Sequence, residues 1–406
     1  MHCETKNNQK GLAKRTQKFD LWRNAFNGIV EASFASTCLL VAIRYFEASD
    51  TAKSLLAGGG SIGFLFAPLF LLVISRSKLT VSVICAFLML LAALGILVSA
   101  ASTSAWFYVS CVLLACILAV QIPSLMVHIY SNNYRPDERG RRISGNLMLS
   151  AVVGSITAIL VGFLLDKNLS HFRIIAIGTF ILCLGTAFFH LKIPSKPLKS
   201  KSGGLTKDLA YAIKDRLFFW MLVGWMLMGI GNLITIPLRV EYLANPNYGL
   251  NLSNTIVLII TMVIPLITRV ASTPVWGWAF DKFNLAFVRI SINLFFLFGL
   301  FLYFQTKDLL LLGFASALIG MATGGGTMAW ALWVTKVAPK GAESSYMSVH
   351  SFFTGVRGVP APFVGYWILT NLGPSQVSWT SATLIIFSCL VFVKLASDKR
   401  LINGHS

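Results

Sequence analysis

The chain has 406 residues, 56% of them hydrophobic and only 12% charged, with a mean hydropathy of +0.72. A soluble domain carries about 25% charged residues, so a water-soluble enzyme or binding module is excluded. A net charge of +19 would point to nucleic acid in a soluble protein, but here the basic residues collect in the loops between long apolar runs. No nucleic-acid partner is expected; the lipid bilayer is.

Residues 1–21 are polar and basic, with Lys6, Lys10, Lys14, Arg15 and Lys18. They lead into the first apolar run with no cleavage-site pattern, so they read as a retained basic leader that keeps the N-terminus in the cytoplasm. Twelve helix-length runs follow, at roughly 22–43, 52–75, 79–100, 104–130, 143–165, 172–193, 217–240, 253–279, 286–304, 309–335, 344–370 and 376–396. Loops are short except for 194–216, which is rich in Pro, Ser and Lys and reads as a linker. It splits the chain into 22–193 and 217–396, each with six runs, and 397–406 remain as a tail. Of the 34 Lys and Arg residues, 26 fall in segments on the side of the two termini and six on the other. That bias places both termini in the cytoplasm of a multi-pass protein, expected in the cell (inner) membrane.

Six of the seven cysteines (Cys38, Cys85, Cys111, Cys116, Cys183, Cys389) lie inside apolar runs with no metal-like spacing, and the seventh is Cys3. They read as small buried residues, with no metal and no disulfide. Gly-rich stretches lack the Lys-Ser/Thr of a phosphate loop, and no H-E-x-x-H or nucleophile elbow occurs. No enzyme and no cofactor are expected.

The halves repeat. At an offset of 203, Gly28 meets Gly231, Pro136 meets Pro339 and Gly162 meets Gly365. Between runs 8 and 9 stands Gly277-x-x-x-Asp281-Lys282, followed by Arg289; between runs 4 and 5 stands Pro136-x-x-Arg139-Gly140-Arg141. These loops resemble the cytoplasmic signatures of the major facilitator superfamily. The resemblance implies an all-α membrane protein of 12 transmembrane helices in two pseudo-symmetric six-helix bundles, with Gly277 allowing close helix approach, Asp281 bracing a facing helix start, and Lys282 and Arg289 holding the turn. The copy 206 residues earlier has Ser75 where Asp281 stands and Arg76 where Lys282 stands, so only the C-terminal loop carries the full brace. The Gly355–Gly365 stretch, with Pro360 and Pro362, is similar to a run on helix 5 of some family exporters; here the fifth run has no proline.

A charge at the membrane centre costs about 2.5–3.5 kcal/mol on insertion scales. Three charges lie about 15–24 Å into their runs at 1.5 Å per residue: Glu31, Arg269 and Arg357. Glu31 reads as the only acid buried in a span. With Asn27 one turn before it, it is a candidate proton carrier, or else a fixed partner of an arginine. Arg269 and Arg357 point to an anionic substrate held by a guanidinium fork, or else pack against Gly and Pro breaks. Gln121, Asn232 and Trp330 are candidates to complete a substrate pocket. Gly324-Gly325-Gly326 either loosens the tenth run or forms a packing face. His350 reads as a buried, satisfied histidine or a proton relay.

These residues predict a secondary transporter that moves a small anionic organic solute by alternating access. The proton is the expected coupling ion through Glu31, with sodium as the alternative. An exporter of amphipathic or cationic compounds and a non-transporting membrane sensor are the competing readings. A monomer is expected.

Overall fold

The computed structural model of the protein describes residues 2–198, 214–339, 342–398 and 400–403. Twelve helices follow in the order the apolar runs predict. They are α1 (His2–Arg44), α2 (Asp50–Arg76), α3 (Val81–Ser99), α4 (Ala105–Asn133), α5 (Pro136–Lys167), α6 (Phe172–Lys192), α7 (Arg216–Ala244), α8 (Asn254–Lys282), α9 (Leu285–Gln305), α10 (Leu309–Val337), α11 (Glu343–Gly358 and Pro360–Leu372) and α12 (Pro374–Leu395). Among the described residues, ten are long and apolar enough to cross a bilayer; α2 and α11 are the other two. Large apolar side chains stand exposed along the helices, among them Val73, Val127, Ile174, Val275, Phe298 and Leu310. Patches of this kind suit lipid and would aggregate in water.

Short polar residues set the helix starts. Ser104 accepts from the Phe107 N–H, Asp215 from Leu217 and Phe218, Asn284 from Ala286, and Asp308 from Leu311. Each satisfies donors that the first turn leaves free. Proline explains the irregularities. A π turn at Ile259–Val263 directly precedes Ile264-Pro265 in α8, where the proline cannot donate to the ladder. α11 is interrupted at Val359, which keeps right-handed helical dihedrals, because Pro360 after it cannot donate to the ladder.

The chain divides into two compact units, one of Met1–Ala48 and Ile62–Lys201, the other of Ser49–Ser61 and Ser202–Ser406. In the first, α1 packs on α5 and α6, and α3 on α4 and α6. A Cβ on Gly28 would stand 2.4 Å from the Ser150 carbonyl oxygen, so α1 and α5 meet backbone to backbone. In the second, α7 packs on α12, α8 on α10, and α9 on α10 and α12. The triple glycine of α10 is a packing face: the helix runs through it unbroken, and a Cβ on Gly324 would lie 2.8 Å from the Arg269 carbonyl oxygen. Residues 199–213, most of the expected linker, lie outside the described residues; before them, Thr80 bridges Pro197 in an isolated antiparallel pair.

Two helices run further than their apolar cores predict. α1 extends back to His2 and α7 on to Ala244. Each extension carries an acid into the packed interior, Asp20 on α1 and Glu241 on α7, at 0% and 1% exposure.

Candidate functional site

The first unit holds a cavity of about 360 Å³, within the range of small-molecule sites. One wall is polar and comes from α1, α4 and α5: Arg23, Asn24, Asn27, Glu31, Tyr130 and Asn146. The rest of the lining is largely apolar, with Met89, Ile96, Ile122 and Met126 among its residues. The 3.6-residue period explains the polar wall, since Asn24, Asn27 and Glu31 recur at three- and four-residue spacing on one face of α1.

Behind that wall is a closed network. Arg23 Nε donates to Asp20 Oδ1 at 2.8 Å, and the Tyr130 hydroxyl donates to Asp20 Oδ2 at 3.0 Å. Asn146 Nδ2 donates to Asp20 Oδ2, and Asn146 Oδ1 accepts from Gln17 Nε2 at 2.8 Å; the Tyr134 hydroxyl donates to Gln17 Oε1 at 3.1 Å. Asp20 and Arg23 therefore cancel, which leaves Glu31 as the unmatched charge of the cavity wall.

Glu31 is exposed to the cavity, and Asn27 Nδ2 donates to its Oε1 at 3.1 Å. This corrects the expectation that Glu31 is the only acid buried in a span; the buried acids are Asp20 and Glu241. Arg23 likewise leaves the loop side, where the charge count placed it, and is buried in α1. The signal was present in Asp20-x-x-Arg23, an ion pair at helical spacing, but it preceded the apolar run. Gln121 does not line the cavity. It is buried, and its Nε2 donates to the Gly63 and Ile117 carbonyls at 2.8 and 3.1 Å.

In the second unit, Arg357 is buried and its Nη1 donates to the Trp225 carbonyl. Arg269 is half-buried on α8. Asn232 keeps a buried Oδ1 with no hydrogen-bond partner. Trp330 is not an open platform: its Nε1 donates to Thr354 Oγ1 at 3.3 Å, and its ring lies 5.3 Å from that of His350. His350 is buried, but neither ring nitrogen has a partner, so it is not the satisfied histidine expected.

The loop residues divide. Asp281 and Lys282 are exposed, with Lys282 Nζ 5.3 Å from the centre of the Trp278 ring. Gly277 permits no unusual approach, because a Cβ there would be 3.8 Å from Met328 Sδ, an ordinary contact. Arg289 does not hold the turn. It lies in the second turn of α9, 1% exposed, with its guanidinium 3.8 Å from the Trp225 ring centre. Asn284 caps α9 so early that residue 289 comes round to the packed face with Val288 and Ile292. The side chains of Pro136 and Arg139 lie outside the described part. Gly140 and Arg141 are exposed, and their neighbour Arg142 pairs with Glu138 at 2.8 Å.

A second ion pair, unseen in the sequence, ties the first turns of α2 to α7 and α11. Lys53 Nζ sits 2.9 Å from Glu241 Oε1 and 2.9 Å from Asp50 Oδ1. Asn245 Nδ2 and the Tyr366 hydroxyl donate to the Glu241 carboxylate at 2.7 and 3.2 Å.

The Major Facilitator Superfamily model matches residues 244–403. The nucleoside transporter NupG is similar over 96% of this chain and 100% of its own, at 14% identity and a TM-score of 0.70. The D-xylose-proton symporter is similar over 94% and 97%, at 15% and 0.70. The human organic anion transporter MFSD10 (TETRAN) is similar over 94% and 99%, at 13% and 0.65. No curated protein sequence matches significantly. The chain is therefore similar in sequence to the Major Facilitator Superfamily over residues 244–403 and shares the fold of these transporters along its length.

Proposed function

We propose that the protein is a proton-coupled secondary transporter of a small polar organic solute, bound in the cavity of the first unit and moved by alternating access. The observation that supports this reading is the cavity wall itself. The carboxamide oxygens of Asn24 and Asn27 and the Glu31 carboxylate on α1 offer acceptors to a polar solute, and the apolar lining residues can receive its flat or carbon-rich face. Glu31 is the proton carrier in this reading: it faces the cavity, it can exchange a proton there, and Asp20 and Arg23 behind it are committed to each other. A neutral solute suits a cavity whose one unmatched charge is an acid. The second reading keeps the anionic solute; the half-buried Arg269 on α8 favours it.

Purified protein in proteoliposomes tests both. Nucleosides and D-xylose, the cargoes named for two of the similar structures, and a set of small carboxylates are screened for uptake driven by an inward proton gradient. The Glu31→Gln variant is expected to lose gradient-driven accumulation, at least tenfold, while it keeps exchange of preloaded solute. Accumulation that follows the gradient in that variant as in the wild type removes Glu31 as carrier. Uptake of carboxylates alone, lost in Arg269→Ala, selects the anionic reading.

A further inference from the structure

The second unit encloses positive charge with nothing to balance it. Arg289 on α9 and Arg357 on α11 both meet Trp225 of α7: the first stacks its guanidinium on the indole ring, and the second donates Nη1 to the backbone carbonyl. His350, two turns before Arg357 on α11, has its ring 5.2 Å from that of Trp225 and 5.2 Å from that of Trp333. All five side chains are more than nine-tenths buried.

Their donors are orphaned. Nε, Nη1 and Nη2 of Arg289, Nε of Arg357, and Nε1 of Trp225 and Trp333 have no hydrogen-bond partner, and neither has either ring nitrogen of His350, of which a neutral imidazole offers one as a donor. Among the described residues no carboxylate pairs with either arginine. Asp215, the N-cap of α7, is already bonded to Arg400 and Tyr346. The indole face meets part of the charge of Arg289 but none of its N–H groups. A buried charge is retained when it is paired and hydrogen-bonded, and a group of donors with no acceptor calls for an acceptor that carries negative charge.

We infer that this cluster is a binding site for one small monovalent anion, the size of chloride or of a single carboxylate group, held by Arg289, Arg357 and His350 beside the Trp225 and Trp333 indoles. It is separate from the cavity of the first unit, so either assignment can fail without the other. The anion arrives as a free inorganic ion or as the carboxylate of an organic solute, and the chemistry is the same in both cases.

The test is binding of radiolabelled chloride to the full-length wild-type protein in detergent, at constant ionic strength with gluconate as the replacement ion, and competition by acetate. A parallel series follows thermal unfolding with chloride and with acetate. Saturable binding of about one chloride per chain, with a matching rise in Tm, supports the free ion. Stabilisation by acetate without chloride binding supports a carboxylate occupant. Arg289→Lys keeps the charge but loses the planar fork; it should weaken the anion effect at least tenfold, as should Arg357→Met, whereas Lys282→Ala, at an exposed position, should leave it unchanged. If the wild type shows no saturable response to either anion, the site does not exist. That measurement does not depend on whether the variants fold. An equal response in wild type and Arg289→Lys also overturns the assignment.

Discussion

Replacing Glu241 by Gln is the sharpest probe of the second unit. The amide fits the same space; its oxygen can still accept from Asn245 and its NH2 can donate to the Tyr366 hydroxyl oxygen, so the substitution removes charge and little else. It leaves the Lys53 ammonium, whose side chain is 7% exposed, without its buried partner. Breaking one side of a buried pair costs about 3–5 kcal/mol. Asp50 lies equally close to the ammonium, but its side chain is 45% exposed, and solvent limits its compensation to at most about 1 kcal/mol. The net loss is then about 2–4 kcal/mol, which for a unit of this size lowers the Tm by about 5–15 °C. Intrinsic-fluorescence unfolding of the purified protein measures it. The double variant Lys53→Met, Glu241→Leu puts apolar groups on both sides and should regain most of the loss. A fall of less than about 2 °C in Glu241→Gln, or a double variant no better than the sum of the singles, would refute the claim that this pair is a coupled unit.

Asp20→Asn should destabilise the first unit by about 2–4 kcal/mol, because Arg23 keeps neutral acceptors but loses its buried charged partner; denaturant or thermal unfolding checks it, and a change below about 1 kcal/mol would show that the buried guanidinium does not depend on that charge. Asp215 gives a pH dependence. Its burial opposes ionisation, but the bonds from Arg400, the Phe218 N–H and Tyr346 outweigh that and hold its pKa below the usual carboxylate value. The folded state thus binds fewer protons, so the stabilisation is complete above the unfolded carboxylate value of about 3.9 and fades as pH falls through the lower folded value. Asp215→Asn should flatten the fall in Tm below pH 4 relative to wild type; parallel curves would contradict it.

The twelve runs were legible because a bilayer fixes both their length and their apolarity. The candidate residues were less so, and for one recurring reason. Apolar runs mark where a helix is bathed in lipid, but not where it ends. Asp20 and Glu241 sit beyond the runs of α1 and α7, so hydropathy assigned their neighbourhoods to loops, while intact helix geometry carried them inward. Arg289 was misplaced by the same logic, being counted with the turn although Asn284 had already started α9. Asn24, Asn27 and Glu31 were readable because they share one helical face. The orphaned donors around Trp225 were not, since five residues from α7, α9, α10 and α11 meet there and no local spacing records that meeting.

The π turn in α8 has a consequence for anyone who redraws that helix on a wheel. One surplus residue turns everything after it by about 100°, so a projection begun at Asn254 assigns Arg269 to the wrong azimuth. Deleting a single residue within Ile259–Val263 would restore a uniform winding, and it would swing the Arg269 guanidinium a quarter-turn away from the surface it now faces.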